Sequence, residues 1–186
     1  GIATHGGKPL YLRSLRKYVK RLKPEEAFPY SPTTGKIELR RLWRKRQIEL
    51  NPDLADKSFS LPIVTNGLTD GLSILADLFC DAGDVLLLPD KIWGNYRMIF
   101  GVRRGADIRT YPFFSPDDGL DVEAFRKALL SLRDRDKVLL LFNFPNNPTG
   151  YTPYPREAHG LAEAVMEAAD EGLNIVACVD DVYTGL

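Results

Sequence analysis

The residues best suited to chemistry lie in short stretches rich in glycine, amide and aromatic side chains. Residues 65–72 read TNGLTDGL, 88–96 LPDKIWGNY, 143–150 NFPNNPTG and 180–186 DDVYTGL. Gly67, Leu68 and Thr69 stand where a helical pattern begins; amide hydrogens at a helix N-terminus, with a hydroxyl beside them, suit a phosphate. Trp93 offers an aromatic face, Asn147 an amide, Asp180 a carboxylate and Tyr183 a phenol. Each also has a plain structural reading. TNGLTDG is an ordinary capped turn, Trp93 a core residue and Asp180 a helix cap. NNPTG is a bare turn, since Asn, Pro and Gly are the usual turn residues. Their joint occurrence, each at the end of an apolar run, is what chance does not readily supply.

Those runs are the elements that must position the site. SLPIVT (60–65), DVLLLP (84–89), ADIRTYPFF (106–114), KVLLLF (137–142) and NIVACVD (174–180) read as five strands. Between them lie helical patterns: Leu68, Leu72, Leu75 and Phe79 share one face, and Val122, Phe125, Leu129 and Leu132 another. WGNYRMIFGVRRG reads as a helix ended by Gly105, and 155–171 as one begun by Pro155 and ended near Gly172. Continuous apolar strands alternating with helices predict an α/β fold, a mostly parallel sheet with helices on both faces. In such sheets ligands bind beyond the carboxyl ends of the strands, where these stretches fall.

Residues 1–59 differ and are expected to form a helical segment and arm outside the sheet domain of 60–186. RRLWRKR (40–46) reads either as a nucleic-acid patch or as a helix with Leu39, Leu42 and Trp43 in a stripe and its basic residues in water. The second reading is favoured. Lys plus Arg and Asp plus Glu are 25 each in 186 residues, so no global field attracts nucleic acid or an anionic membrane. No apolar run is long enough to span a bilayer, and no charged-then-apolar leader opens the chain at Gly1. Cys80 and Cys178 sit in apolar runs and read as reduced core residues of a cytoplasmic protein.

Together with YSPTTGKIELR (30–40), these motifs resemble the N-terminal part of pyridoxal-phosphate-dependent aminotransferases of fold type I, the aspartate aminotransferase-like class I/II family. The likeness spans nearly the whole chain. It implies the three-layer large domain of that fold, incomplete here, and pyridoxal 5'-phosphate as cofactor. By the same likeness, Asp180 pairs with the pyridine nitrogen and keeps it protonated, so that the ring can accept electrons. Asn147 and Tyr183 bond the ring's phenolic oxygen, and Trp93 stacks on its face. Gly67, Leu68 and Thr69 hold the phosphate, and Tyr30 reaches the phosphate of a neighbouring subunit in a homodimer. The family's Schiff-base lysine lies beyond its Asp-x-x-Tyr motif, as do the arginines that bind the phosphate and the substrate carboxylate. Nothing after Asp180–Tyr183 matches them, so the chain is expected to be an inactive fragment with no catalytic residue of its own. The parent activity implied is amino transfer between an amino acid and a 2-oxo acid. Alternatives are another enzyme of the same fold, such as a carbon–sulfur β-lyase or a decarboxylase, and a non-catalytic sensor or dimerisation module. A nicotinamide dehydrogenase fits poorly, because no G-x-G-x-x-G follows a strand.

Overall fold

The computed structural model describes residues 4–117 and 119–184. The chain divides into two units, Gly1–Thr65 and Asn66–Leu186. In the first, β1 (Thr4–His5) and β2 (Lys8–Pro9) form a small antiparallel ribbon. Three helices follow: α1 (Arg13–Val19), α2 (Pro24–Ala27), whose Glu26 carboxylate accepts from the Lys23 amide at 3.0 Å, and α3 (Ile37–Leu50).

Residues 60–65, expected as a strand, form none and belong to this first unit. A strand needs a ladder partner for its backbone groups, and here those groups are taken by other partners. Arg40 Nε donates to the Pro62 carbonyl at 2.6 Å, Arg40 also reaches the Leu61 carbonyl at 3.4 Å, and the Val64 amide donates to Thr34 O at 3.1 Å. Pro62 itself brings no amide hydrogen. The helix over 40–46 is present in α3, but its apolar stripe is not sealed: Leu39, Leu42 and Trp43 are 48, 64 and 56% exposed.

The second unit begins with α4 (Leu68–Phe79). Then come β3 (Val85–Pro89), a helical segment that is π-helical over Arg97–Val102, β4 (Asp107–Tyr111) and α5 (Val122–Leu130), followed by β5 (Val138–Asn143), α6 (Pro155–Asp170) and β6 (Ile175–Asp180). The four long strands make one all-parallel sheet in the order β4-β3-β5-β6.

Alternation along the two central strands sorts the core into two layers. Val85, Leu87, Val138 and Leu140 pack with Phe125, Leu129, Leu161 and Ala164 of α5 and α6. Leu86, Leu88, Leu139 and Leu141 pack with Leu72 and Ala76 of α4 and with Tyr96, Ile99 and Phe100. Burying each of these large side chains contributes roughly 1.5–3 kcal/mol, so a charge placed at Leu140 would break the sheet. On α4 the buried face is Leu72 and Ala76, with Leu68 and Leu75 packed beside them, whereas Phe79 remains 46% exposed.

Candidate functional site

β3 is followed in sequence by β4 on one side of it and flanked by β5 on the other. The strand order therefore reverses between β3 and β5, and in such sheets the ligand crevice is expected at the carboxyl ends there. Trp93 follows β3, Asn147 follows β5, and Asp180 and Tyr183 end and follow β6. The loops are tied across the crevice, since Asn146 Nδ2 donates to the Lys91 carbonyl at 3.2 Å.

Asp180 is 3% exposed. Its Oδ2 accepts from the Tyr96 hydroxyl at 2.5 Å, and its Oδ1 accepts from the Val182 amide at a long 3.3 Å. Tyr96 is itself buried and meets Trp93 edge to face, with ring centroids 5.4 Å apart. Burial, then the bond to Asp180, pushes the Tyr96 hydroxyl far above its ordinary range, so it remains a proton donor. Burial and the nearby Asp180 and Asp181 carboxylates push the Cys178 thiol up to about 11, so it stays neutral. Asp180 is thus a buried carboxylate whose described partners are all uncharged.

The NNPTG turn is braced from within. Asn146 Oδ1 accepts from the Thr149 amide at 3.2 Å and the Thr149 hydroxyl at 2.7 Å, and the Gly150 amide closes on the Asn146 carbonyl at 2.7 Å. Asn147 is half-buried; its Nδ2 donates to the Tyr183 hydroxyl at 3.4 Å and its amide to Asn143 Oδ1 at 2.7 Å. The structure therefore brings Trp93, Asn147, Asp180 and Tyr183 together.

Gly67 stands at the N-cap of α4 with φ 102° and ψ 174° and brings no side chain of its own to that end. Asp70 instead accepts from the Asn66 amide at 3.0 Å. Gly67 and Thr69 are exposed, and Leu68, like Trp93, packs against the buried cluster that holds Tyr96. Tyr30 lies in the first unit, 95% exposed. Sequence reasoning missed Tyr96 and Asn143. The only hints were the position of Tyr96 three residues after Trp93 and that of Asn143 as a polar residue closing an apolar run.

The parallel sheet with helices packed on both faces, and its likeness to solved aminotransferases, give the class: part of a large domain of the fold type I, pyridoxal-phosphate-dependent transferases. The family model for aminotransferase class I and II matches residues 4–186, and the chain belongs to that family. It is 28% identical over 165 residues to a probable aspartate aminotransferase of Methanocaldococcus jannaschii, covering 88% of this chain and 40% of that protein. It is 33% identical over 163 residues to an LL-diaminopimelate aminotransferase of Dehalococcoides mccartyi, covering 83% and 37%. An aminotransferase structure from Anaerococcus prevotii superposes with a TM-score of 0.83 at 26% identity, over 94% of this chain and 42% of that one. The cytoplasmic aspartate aminotransferase of Saccharomyces cerevisiae shares the fold, with a TM-score of 0.77 at 21% identity, over 96% and 43%. The chain thus spans about two fifths of the length of the curated relatives it matches. No helix among the described residues is long and apolar enough to cross a membrane.

The family depends on pyridoxal phosphate, and the residues present fit that group. Oδ1 of Asp180 is weakly engaged, and among the described residues only neutral donors bond this buried side chain, which a protonated ring nitrogen would complete. The N-terminus of α4, opened by a glycine, is a ready place for a phosphate.

Proposed function

We propose that this chain holds the cofactor in an aminotransferase that moves an amino group between an amino acid and a 2-oxo acid. The observation that carries the reading is the buried Asp180 carboxylate, fixed by Tyr96 at the crevice where the strand order reverses. Asp180 would hold the ring nitrogen, Asn147 and Tyr183 the phenolic oxygen, Trp93 the ring face, and Gly67, Leu68 and Thr69 the phosphate. When bound, pyridoxal phosphate supplies an electron sink for charge developing on the substrate's α-carbon. The chain's own residues bind and orient it: the Asp180 carboxylate keeps the nitrogen's proton in place, and the crevice loops fix the ring plane. Tyr30, on the exposed surface of the first unit, would serve the site of a second copy in a homodimer. Free Cys80 and Cys178 support a reducing, cytoplasmic setting.

Amino transfer also needs a lysine to carry the cofactor and move protons. Lys91 and Lys137 are engaged elsewhere, with Asp90 at 3.0 Å and Asp84 at 2.7 Å. Residues 1–186 alone are expected to bind the cofactor without turnover. The test is a titration of the purified chain with pyridoxal phosphate, followed by tryptophan emission, with an amino acid and 2-oxoglutarate added afterwards. Saturable quenching that weakens in Asp180→Ala supports the reading. The reading fails if the two proteins quench alike, and the assignment of the lysines fails if turnover rises above the free cofactor.

A further inference from the structure

We propose that Asn143 is a positioning residue that sets the spacing between Asp180 and Asn147, the two groups that would bond the ring nitrogen and the phenolic oxygen of the cofactor. The inference rests on the reading of those two residues given above. Asn143 is the last residue of β5 and lies opposite Asp180 in the sheet register. It is 6% exposed, a polar side chain at the inner end of the crevice.

Its side chain bridges the two arms that diverge there. Nδ2 donates to the Asp180 backbone carbonyl at 3.0 Å, and Oδ1 accepts from the Asn147 amide at 2.7 Å. The amide's orientation follows from this network: turned over, it would set its NH2 against an N–H and its oxygen against a carbonyl.

The need for such a clip follows from the local chain. Past Asn143 the β5–β6 ladder ends, apart from the Phe144 amide, which also reaches the Asp180 carbonyl at 3.2 Å. Pro145 and Pro148 flank the turn and offer no amide hydrogens for further pairing. A planar side chain with a donor and an acceptor on one carbon can continue the ladder for one more step. Aspartate would keep the acceptor but lose the donor and set a charge beside the Asp180 carbonyl. Alanine would lose both contacts. Buried behind the residues that would touch the ring, Asn143 acts through them.

The test compares wild type, Asn143→Ala, Asn143→Asp and Asp180→Ala. Tryptophan emission reports pyridoxal phosphate binding, and inorganic phosphate serves as a competitor that reads the α4 N-terminus alone. Urea unfolding shows which variants fold; if the alanine variant does not, the aspartate variant carries the comparison. The expected result for each Asn143 variant is an affinity for pyridoxal phosphate lower by about tenfold, the scale of one lost hydrogen bond, with the phosphate inhibition constant unchanged. The inference is overturned if the Asn143 variants bind pyridoxal phosphate within about twofold of wild type while Asp180→Ala binds about tenfold more weakly. It is equally overturned if phosphate affinity falls in step with that for the cofactor, since Asn143 would then merely support the fold. If wild type and Asp180→Ala bind alike, the site reading itself fails and this inference falls with it.

Discussion

The Tyr96 hydroxyl donates to Asp180 at 2.5 Å, and its ring belongs to the buried cluster that includes Leu88, Phe100 and Leu141, with Trp93 edge to face against it. Tyr96→Phe removes that one oxygen and keeps the ring's packing. It leaves Asp180 Oδ2 buried without its donor, so a loss of about 1.5–3 kcal/mol is expected, the range for hydrogen bonds to charged groups. In urea this is read as a lower midpoint with an unchanged slope. A midpoint equal to wild type would show that water replaces the hydroxyl. Gly67→Ala makes a different demand. A Cβ there would meet no atom within 4 Å, yet φ +102° with ψ 174° lies in a region that only glycine occupies readily. The expected cost is about 1–3 kcal/mol, all of it backbone strain, together with weaker competition by inorganic phosphate. An unchanged thermal midpoint would contradict it. At this scale the sequence was legible wherever a residue type is tied to a local motif, as with Asn147 in NNPTG. Tyr96 and Asn143 were not legible, because Asp180, which each of them bonds, lies 84 and 37 positions away and only the folded sheet brings them together.

Among the elements, α6 is fastened to its surroundings by Glu157, in its first turn. The carboxylate accepts from the Leu120 amide at 2.9 Å, the Tyr154 amide at 2.8 Å and the Tyr151 hydroxyl at 2.9 Å, and is 7% exposed. Burial pushes this carboxyl up, but the amide and hydroxyl donors outweigh it and hold it below its ordinary range. A folded-state value below the unfolded one contributes stability at pH above the unfolded value of about 4.3, and that contribution is lost as pH falls through the folded value. Urea midpoints measured downward from pH 6 should therefore fall in acid. Glu157→Gln should lose about 2 kcal/mol at neutral pH, because its NH2 opposes the donors, and should show a shallower acid limb. Parallel acid limbs in the two proteins would rule Glu157 out as the titrating group. The elements themselves were largely legible: the apolar runs of β3, β5 and β6 admit few other readings between helical patterns. Residues 60–65 carry the same kind of run, and they fail as a strand because Arg40 and Thr34 take the backbone groups that a ladder would need.

For the whole molecule, the sheet has two edge strands, β4 and β6, and the β6 flank is the apolar one. β6 lies at the end of the strand order, and among the described residues no strand pairs with its outer edge. Below it, Phe142, Phe144, Leu161, Val165, Ala177 and Val179 line an apolar trough of about 400 Å³. Val179 is 64% and Met166 of α6 65% exposed, so the trough faces water. Unpaired strand edges template pairing with other chains, and natural proteins blunt them with charge. β6 carries no lysine or arginine, and the chain's net charge of zero gives little repulsion between copies near neutral pH. Residues 1–186 are therefore expected to self-associate through this flank, with sedimentation giving an average mass that rises with protein concentration. Val179→Lys places a charge at the trough while leaving the β5 side of the strand intact, and it should return the chain toward monomer without lowering the urea midpoint. An Ile37→Lys variant on α3, in the first unit, serves as the control. If that change disperses the protein and Val179→Lys does not, the contact between copies runs through the first unit, where Tyr30 would meet a neighbour's site, and the β6 flank stays solvated.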